Sequence, residues 1–261
     1  AAVQAAAEGM DPSKILILAP GEELAADMTE MAPYVNVADT DEQFQANLTD
    51  DFEIYLSDIM TAGNNTNNSD MAAYVSQNSE EAKDWLADTL GMEYGDLAQE
   101  AGSSVARSFP AKEGNLNELA QEALLKKVEE LKIPVEYKAE LKSVAYDEEG
   151  ALDRITVTVD GKDQEIDCLA LVATDVSLIP VFEESQVYEA DGKAAALVVS
   201  NNAEQLNKDS GELINGLYAA GPILSAAVDG EGVLSGNELT EAVMFGSTAG
   251  TEAAVYVSDN Q

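Results

Sequence analysis

The chain has 261 residues, 46% of them hydrophobic, and it carries 50 acidic against 13 basic residues, which gives a formal net charge of −37. This composition predicts a globular protein with a sizeable core, and its charge argues against nucleic acid or an anionic membrane as partner, since both bind basic patches. The sequence has no histidine, which excludes Ser-His-Asp catalysis, His-ligated zinc and histidine proton shuttles.

The acidic residues are scattered, and no Asp-x-Asp-x-Asp-Gly loop is present, so no metal site is predicted. A cation-buffering acidic surface protein is compatible with the composition but has no motif behind it. The single cysteine, Cys168, rules out an internal disulfide and lies in an apolar strand, which predicts a buried, unreactive thiol. No window approaches the ~20 apolar residues of a membrane span, so no membrane insertion is expected.

The first elements are an alanine-rich helix over residues 1–9 and the apolar run Lys14–Leu18. An all-apolar run of this length is typical of a buried parallel strand. Helix followed by strand indicates half of a βαβ unit whose first strand is absent. An irregular acidic stretch then extends to about Asp41.

Residues 42–100 are predicted to be helical. One face of the first helix carries apolar residues, namely Phe52, Tyr55, Leu56, Ile59 and Met60. A polar loop over residues 64–68 precedes a helix that Ser69 or Asp70 would cap. A further helix is predicted from a serine cap at Ser79 to a glycine stop at Gly91.

The middle of the chain alternates clearly between helix and strand patterns. Residues 115–131 form an amphipathic pattern with late basic residues, which predicts a helix. Residues 134–168 predict a β-meander with a hairpin turn at Asp160-Gly161, and residues 169–173 predict another buried strand. No repeat or linker interrupts the chain, so a single domain over residues 1–261 is expected.

The C-terminal block is punctuated by glycines. Residues 216–221 predict a strand and a glycine turn, a loop follows to residues 233–237, and a long helix begins at Glu238 with Asn237 as its cap. A glycine-bent backbone aimed at a helix N-terminus suits a phosphate, a flavin oxygen or another anion. Met244, Phe245 and Trp85 are predicted to be core residues.

These motifs resemble those of the FAD-binding domain in the fumarate reductase, flavocytochrome c and succinate dehydrogenase flavoproteins. The likeness is carried by residues 216–254, by the Ser-Val-x-Arg-like segment that ends in Arg107-Ser108, and by Asp84-Trp85 in the helical segment, where a buried pair is expected. The resemblance implies an α/β, Rossmann-like FAD-binding-type domain with a central parallel sheet, a β-meander and a helical segment.

The resemblance also implies vestigial cofactor-binding positions. They are Ala173, Thr174, Gly221, Ser235, Gly236, Asn237, Glu238 and Leu239. The family's first strand and its Gly-x-Gly-x-x-Gly loop have no counterpart here, and neither do the glycine turns expected within residues 22–32. Leu18 stands where the family has a ribose-binding glutamate, Asp175 replaces a glycine beside the cofactor, and Pro222 replaces an acidic residue.

The substrate positions of the family depart in the same way. Asp229 and Val233 stand where the resemblance places a histidine and an arginine, and only residues 176–188 remain in place of a large capping domain. Residues 189–192 replace a second histidine motif. Because an Asp229 carboxylate about 4 Å from a dicarboxylate would repel it by about 1–4 kcal/mol, no catalytic residue is predicted.

Two functions follow from this comparison. In the first, the chain is a degenerate, non-catalytic relative that holds no cofactor and serves as a structural or binding module, with an unidentified protein partner. In the second, it is an FAD-dependent oxidoreductase domain whose glycine-rich loop lies outside the sequence. The internal departures favour the first. Arg107 is expected in an ion pair, and acidity favours a location outside the cytoplasm, at a bacterial cell surface.

Overall fold

The computed structural model describes residues 1–24 and 31–261, so part of the acidic stretch predicted before Asp41, residues 25–30, lies outside it. The helices are α1 (Ala2–Ala7), α2 (Asp41–Gln45), α3 (Phe52–Ala62), α4 (Ser69–Leu90), α5 (Leu116–Leu131), α6 (Pro222–Asp229) and α7 (Asn237–Asp259). Short 3₁₀ helices cover Pro12–Lys14 and Val176–Val181. The strands are β1 (Ile17–Ala19), β2 (Tyr34–Asn36), β3 (Ser108–Pro110), β4 (Val135–Tyr137), β5 (Ala139–Tyr146), β6 (Leu152–Val159), β7 (Lys162–Asp167), β8 (Leu171–Ala173), β9 (Val187–Ala190), β10 (Lys193–Leu197), β11 (Glu204–Leu206) and β12 (Leu213–Ala219).

Parallel pairing, the expected feature of the central sheet, occurs in two places. Strand β1 pairs in parallel with β4, and β12 pairs in parallel with β8 while β11 lies antiparallel on its other side. The strand predicted at Lys14–Leu18 starts only at Ile17, and Leu16 is 44% exposed. Because β1 pairs only with β4 among the described strands, it is half-buried rather than fully buried.

The predicted β-meander is confirmed over residues 139–167, whereas β4, which was predicted to belong to it, pairs with β1 instead. Strands β5, β6 and β7 are antiparallel neighbours, and Leu152, Ile155 and Val157 of the central strand β6 point into the core. The turn between β6 and β7 has Asp160 at φ 50° and Gly161 at φ 73°. Two left-handed residues in succession suit a two-residue hairpin loop, which is why Asp-Gly signals it so strongly.

The helical segment is divided close to the predicted position. Helix α4 is kinked at Asn78, whose backbone (φ −119°) is not helical, so a second helical part begins at Ser79 as predicted, although the two parts are continuous. Neither Ser69 nor Asp70 is its cap. The side chain of Asn68 accepts hydrogen bonds from the first amides of α4, and the helix ends at Gly91 (φ 74°) as predicted.

Residues 91–100 are not helical, contrary to expectation. They form isolated antiparallel bridges with the β3 region, at Tyr94 with Ala111 and at Ala98 with Ser108. The strand expected around Arg107 begins at Ser108. Helix propensity in 91–100 is therefore overridden by pairing with a distant segment, a tertiary effect that local patterns do not contain.

Helix α7 is the central element of the core. It packs against α4, α1, β12 and β2, and its buried residues include Met244 and Phe245, as predicted. Phe52, predicted on the apolar face of α3, is 42% exposed, while Tyr55 and Ile59 of that face are buried. Among the residues that the structure describes, no helix is long and apolar enough to cross a membrane.

Candidate functional site

The first group of predicted site residues meets at the carboxyl ends of two parallel strands. Strands β8 and β12 end side by side, with Ala173 opposite Ala219. The amide of Ala220 donates to the Ala173 carbonyl (2.9 Å), and the amide of Ile223 donates to the Thr174 carbonyl (3.1 Å). Ala173, Thr174 and the adjoining Gly221 are thus brought together at the sheet edge where ligands of open α/β sheets usually bind.

Helix α6 fills the place where a loop was predicted. Pro222 occupies its first turn, a position that tolerates proline because the amide there has no helical partner. Gly221 precedes it at φ 70°, a left-handed conformation that favours glycine. The four buried apolar residues Ile223, Leu224, Ala227 and Val228 show why the segment is helical: their spacing creates one apolar face.

Asp175, where the resemblance expects a glycine, directs its carboxylate to its own backbone. It accepts a hydrogen bond of 2.8 Å from the Ser177 amide and caps the 3₁₀ helix over Val176–Val181. The side chain is exposed at the end of β8. A fixed carboxylate therefore lies beside Thr174, close to where an anionic cofactor would approach.

The second group, Ser235, Gly236 and Asn237, is covered by strand β2. A Cβ atom added at Gly236 (φ 91°) would overlap the ring of Tyr34, so this ring lies directly on the glycine. The hydroxyls of Tyr34 and Ser235 share a hydrogen bond of 2.6 Å. The side-chain amide of Asn36 donates to the Ser235 carbonyl (2.8 Å), which ties the turn to β2 a second time.

Asn237 is not the helix cap that the sequence predicts. Gly236 is the N-cap of α7, and Asn237 is its first helical residue and completely buried. Its Oδ1 accepts a hydrogen bond of 2.7 Å from the Tyr55 hydroxyl. The Glu238 carboxylate accepts from the Gly236 amide (3.1 Å), and Leu239 packs in the core at 4% exposure.

Arg107 forms the internal ion pair expected of it. Its side chain is completely buried, and Nη2 lies 2.9 Å from both an Asp50 and an Asp58 carboxylate oxygen. The guanidinium also lies 4.5 Å from the ring centre of Tyr55, which connects it to Asn237. Burial raises the pKa of Asp50, although the charge of Arg107 opposes that shift.

The expected buried Asp84-Trp85 pair is wrong in its first member. Asp84 is exposed on α4. The buried face of that helix is formed by other residues, among them Ala82 and Leu86. Trp85 is partly buried against the core, and its indole Nε1 donates to Gln4 of α1 (2.7 Å). The tryptophan therefore joins two helices, in agreement with its predicted core role.

A pair of buried carboxyl groups went unrecognised in the sequence. Asp229, at the end of α6, is 7% exposed, and Glu241, in the second turn of α7, is 4% exposed. The two side chains lie within hydrogen-bonding reach, and burial is the main reason that the pKa of Asp229 rises to about 7. Burial, followed by the nearby Asp229, raises the pKa of Glu241 well above its ordinary value.

The helical period could have revealed Glu241. Glu241 precedes Met244 by three residues and Phe245 by four, so all three lie on the same face of α7. This spacing alone is enough to predict that Glu241 lies among core residues. Val233, the residue at the arginine position, is 44% exposed, and Leu18, at the ribose-binding position, is partly buried in β1. Neither offers a polar group to a ligand.

Cys168 provides an independent prediction about reactivity. The thiol is partly buried between β7 and β8, and burial, reinforced by Asp167 and Asp153, raises its pKa to about 11. We expect a disulfide reagent at pH 8 to modify the native protein more slowly than the urea-unfolded protein, by a factor on the order of ten to a hundred. Equal rates in the two states would show that the thiolate is freely formed in the fold.

A shallow pocket of about 580 Å³ lies away from these residues, between the 3₁₀ helix over Val176–Val181 and the β9–β10 hairpin. Apolar side chains such as Phe182 and Val187 line it, and Lys208 lies at its edge. None of the eight predicted cofactor positions contributes to this pocket.

No protein-family profile matches the chain, and no curated protein sequence matches it. Its fold is similar to several solved structures. The open conformation of a flavocytochrome c3 fumarate reductase superposes with a TM-score of 0.76 at 12% identity, over 97% of this chain and 76% of that one. A 3-ketosteroid-Δ4-(5α)-dehydrogenase from Rhodococcus jostii RHA1 gives 0.75 at 13% identity, over 97% and 93%.

A quinol fumarate reductase from E. coli gives a TM-score of 0.67 at 13% identity, over 100% of this chain and 68% of the other. At such identities the likeness concerns the fold alone. The expected α/β fold is confirmed: the chain matches part of the FAD-binding flavoprotein fold, with small parallel and antiparallel sheets and helices.

Proposed function

We propose that this chain is a non-catalytic relative of FAD-dependent oxidoreductase domains, a single domain that retains the scaffold, binds no FAD and serves as a structural or binding module. The observation that carries the proposal is the packing of Tyr34 on Gly236. The resemblance assigns the turn over residues 235–237 to the cofactor, but here the ring of a neighbouring strand lies on it. A flavin could reach this glycine only after Tyr34 moved.

Three polar groups of the same turn also have partners within the chain. The Ser235 hydroxyl is bonded to Tyr34, the Gly236 amide to Glu238, and Oδ1 of Asn237 to Tyr55. A ligand would have to break these hydrogen bonds and form its own in their place. Such an exchange contributes little to the free energy of binding. The turn is therefore used to hold β2, α3 and α7 together.

The charges around the N-terminus of α7 further support the proposal. Glu238 lies in its first turn, and Asp175 lies at the end of β8. A carboxylate at the N-terminus of a helix interacts favourably with the helix dipole. It therefore takes the position that a phosphate group of a cofactor would otherwise occupy. At about 4 Å each carboxylate–phosphate pair would cost about 1–4 kcal/mol, depending on the local dielectric.

A role as a binding module needs a partner, and the net charge of −37 favours a protein with a basic surface, since charge complementarity steers association. We place this function outside the cytoplasm, where a strongly solvated acidic surface is useful. A pull-down with the chain as bait at low and high salt would test the charge of the partner, because binding through charge should weaken steeply with salt.

Thermal unfolding in the presence of FAD tests the proposal. A chain that bound FAD with a Kd of about 10 µM would gain about 2.7 kcal/mol at about 1 mM FAD, which corresponds to a rise in Tm of at least about 5 °C. We expect no measurable rise, with a known FAD-binding protein as the positive control. A rise of that size would instead support an FAD-dependent oxidoreductase, and fumarate reduction by a chemically reduced dye would then be assayed.

A further inference from the structure

The buried carboxyl pair joins the two ends of a short connecting segment. Asp229 ends α6 and Glu241 lies in the second turn of α7, so the pair brackets residues 230–236. Among the residues that the structure describes, one buried oxygen of each group, Asp229 Oδ1 and Glu241 Oε1, has no hydrogen-bond partner, and neither has the side-chain nitrogen of Asn237. These three polar atoms belong to side chains that are at least nine-tenths buried.

The surroundings of the pair supply negative charge and little to balance it. On α7, Glu238 is the nearest further acid, and its charge disfavours ionisation of both members of the pair. On α3, Tyr55 faces the pair with its hydroxyl, and Arg107 lies behind the Tyr55 ring, where Asp50 and Asp58 hold it. The amide of Asn237 is the uncharged donor directed at Glu241.

The bracketed segment is attached to the α3–α4 loop by a few polar contacts. The Glu231 amide donates to the Thr66 hydroxyl (2.9 Å), and Asn64 donates to the Glu231 carboxylate (2.8 Å). Gly230 at φ 64° and Gly236 at φ 91° lie near its ends, in conformations that favour glycine and can act as hinges. Leu234 is buried in the core, and Ser235 and Gly236 are held by β2. The part of the segment that can separate from the α3–α4 loop is therefore residues 230–233.

We propose that Asp229 and Glu241 form a proton-dependent latch, which holds residues 229–233 against the α3–α4 loop at acidic pH and releases them as the pH rises. The latch goes beyond the proposed function, because its pH dependence does not require a binding partner. When the pair carries two protons, the carboxyl groups hydrogen-bond to each other and bury no charge. Removing a proton leaves a buried negative charge next to Glu238, which favours the open segment where water can solvate it.

The direction of the pH dependence follows from both groups having a raised pKa in the closed state. The latch is then fully effective below the ordinary carboxyl pKa of about 4, and it weakens as the pH rises through about 7. Each proton that the closed state holds in excess makes opening about tenfold more favourable per pH unit. Most proteins rich in acidic residues instead become less stable when the pH falls.

Hydrogen exchange measured between pH 5 and pH 7 tests the latch. After correction for intrinsic exchange, the opening constant of the amides in residues 229–233 should rise at least tenfold per pH unit in the unmodified protein. Because burial alone keeps the pKa of the remaining carboxyl group raised, the rise should be less steep in Asp229→Asn and in Glu241→Gln, and nearly flat in the double variant. The control Glu148→Gln, in the exposed β5–β6 turn, removes one charge elsewhere and should keep the steep dependence.

Three results would overturn the latch. The first is an undiminished pH dependence in the double variant Asp229→Asn/Glu241→Gln. The second is an equally steep dependence for amides of β6, which would assign the effect to global unfolding. The third is restored protection at pH 8 on adding calcium to chelator-treated protein, which would show that the pair holds a cation instead of a proton.

Discussion

Replacing Arg107 with methionine is expected to lower the free energy of unfolding by about 3–5 kcal/mol. The substitution leaves the carboxylates of Asp50 and Asp58 buried with no guanidinium between them, and the penalty arises from that uncompensated charge. Methionine fills much of the volume of the arginine side chain and keeps the contact with the Tyr55 ring. A new cavity therefore contributes little to the loss of stability. Urea denaturation, analysed by linear extrapolation, measures the effect.

Arg154 offers a matched control, since it is the only other arginine in the sequence. Its side chain is 41% exposed and forms ion pairs with Asp153, Glu165 and Asp167 on the meander surface. Arg154→Met should therefore cost less than about 1 kcal/mol. Restoring charge balance with Asp50→Asn in the Arg107→Met background should recover part of the loss. Equal costs for the two arginines would contradict the assignment of Arg107 as a core ion pair.

Gly236→Ala is expected to destabilise the fold by about 2–5 kcal/mol. Two effects combine: an alanine at φ 91° adopts an unfavourable left-handed conformation, and its methyl group overlaps the Tyr34 ring. The ring cannot retreat freely, because its hydroxyl is bonded to Ser235. Equilibrium unfolding in urea gives the value, with the slope of the transition checked against the unmodified protein.

Gly9→Ala separates the two effects. Gly9 has φ 94° but no atom within 4 Å of an added Cβ, so its substitution reports the backbone cost alone. Gly236→Ala should exceed it by about 1–3 kcal/mol, the usual cost of overpacking. Combining Gly236→Ala with Tyr34→Ala should remove most of that excess. Equal costs at Gly9 and Gly236 would mean that Tyr34 does not cover the turn.

The parts of the fold that were predictable are those specified by neighbours in sequence. The Asp160-Gly161 turn requires two left-handed residues, helix α5 has its cap and apolar face within residues 115–131, and α4 stops at a left-handed Gly91. Each signal is local chemistry, so the sequence contains it directly. The C-terminal helix is of the same kind, apart from its cap.

The parts that were missed depend on partners far along the chain. Asn237 has the composition of a cap, but Tyr55, 182 positions away, takes its side chain into the core. Residues 91–100 pair with the β3 region instead of continuing the helical segment. Helix α6 was hidden by Pro222 and Gly230, which read as loop residues although they mark the start and end of a helix.

The candidate site also combines features that are local in sequence with features that depend on distant residues. Its positions were found from a glycine pattern, but their state depends on Tyr34, which lies about two hundred residues earlier and has no distinctive local pattern. The burial of Asp229 likewise follows from the formation of α6 and its packing, which the sequence did not predict. Sequence motifs thus indicate where a cofactor would lie, and packing decides whether there is room for it.

The absorbance spectrum of the purified chain, recorded after incubation with excess FAD and removal of free FAD by gel filtration, tests the central claim most directly. We predict no flavin band at about 450 nm in the protein peak, because Tyr34 covers Gly236 and the Glu238 carboxylate lies in the first turn of α7. A protein peak that retains FAD at one equivalent per chain would contradict the proposal and establish this domain as an FAD-binding flavoprotein.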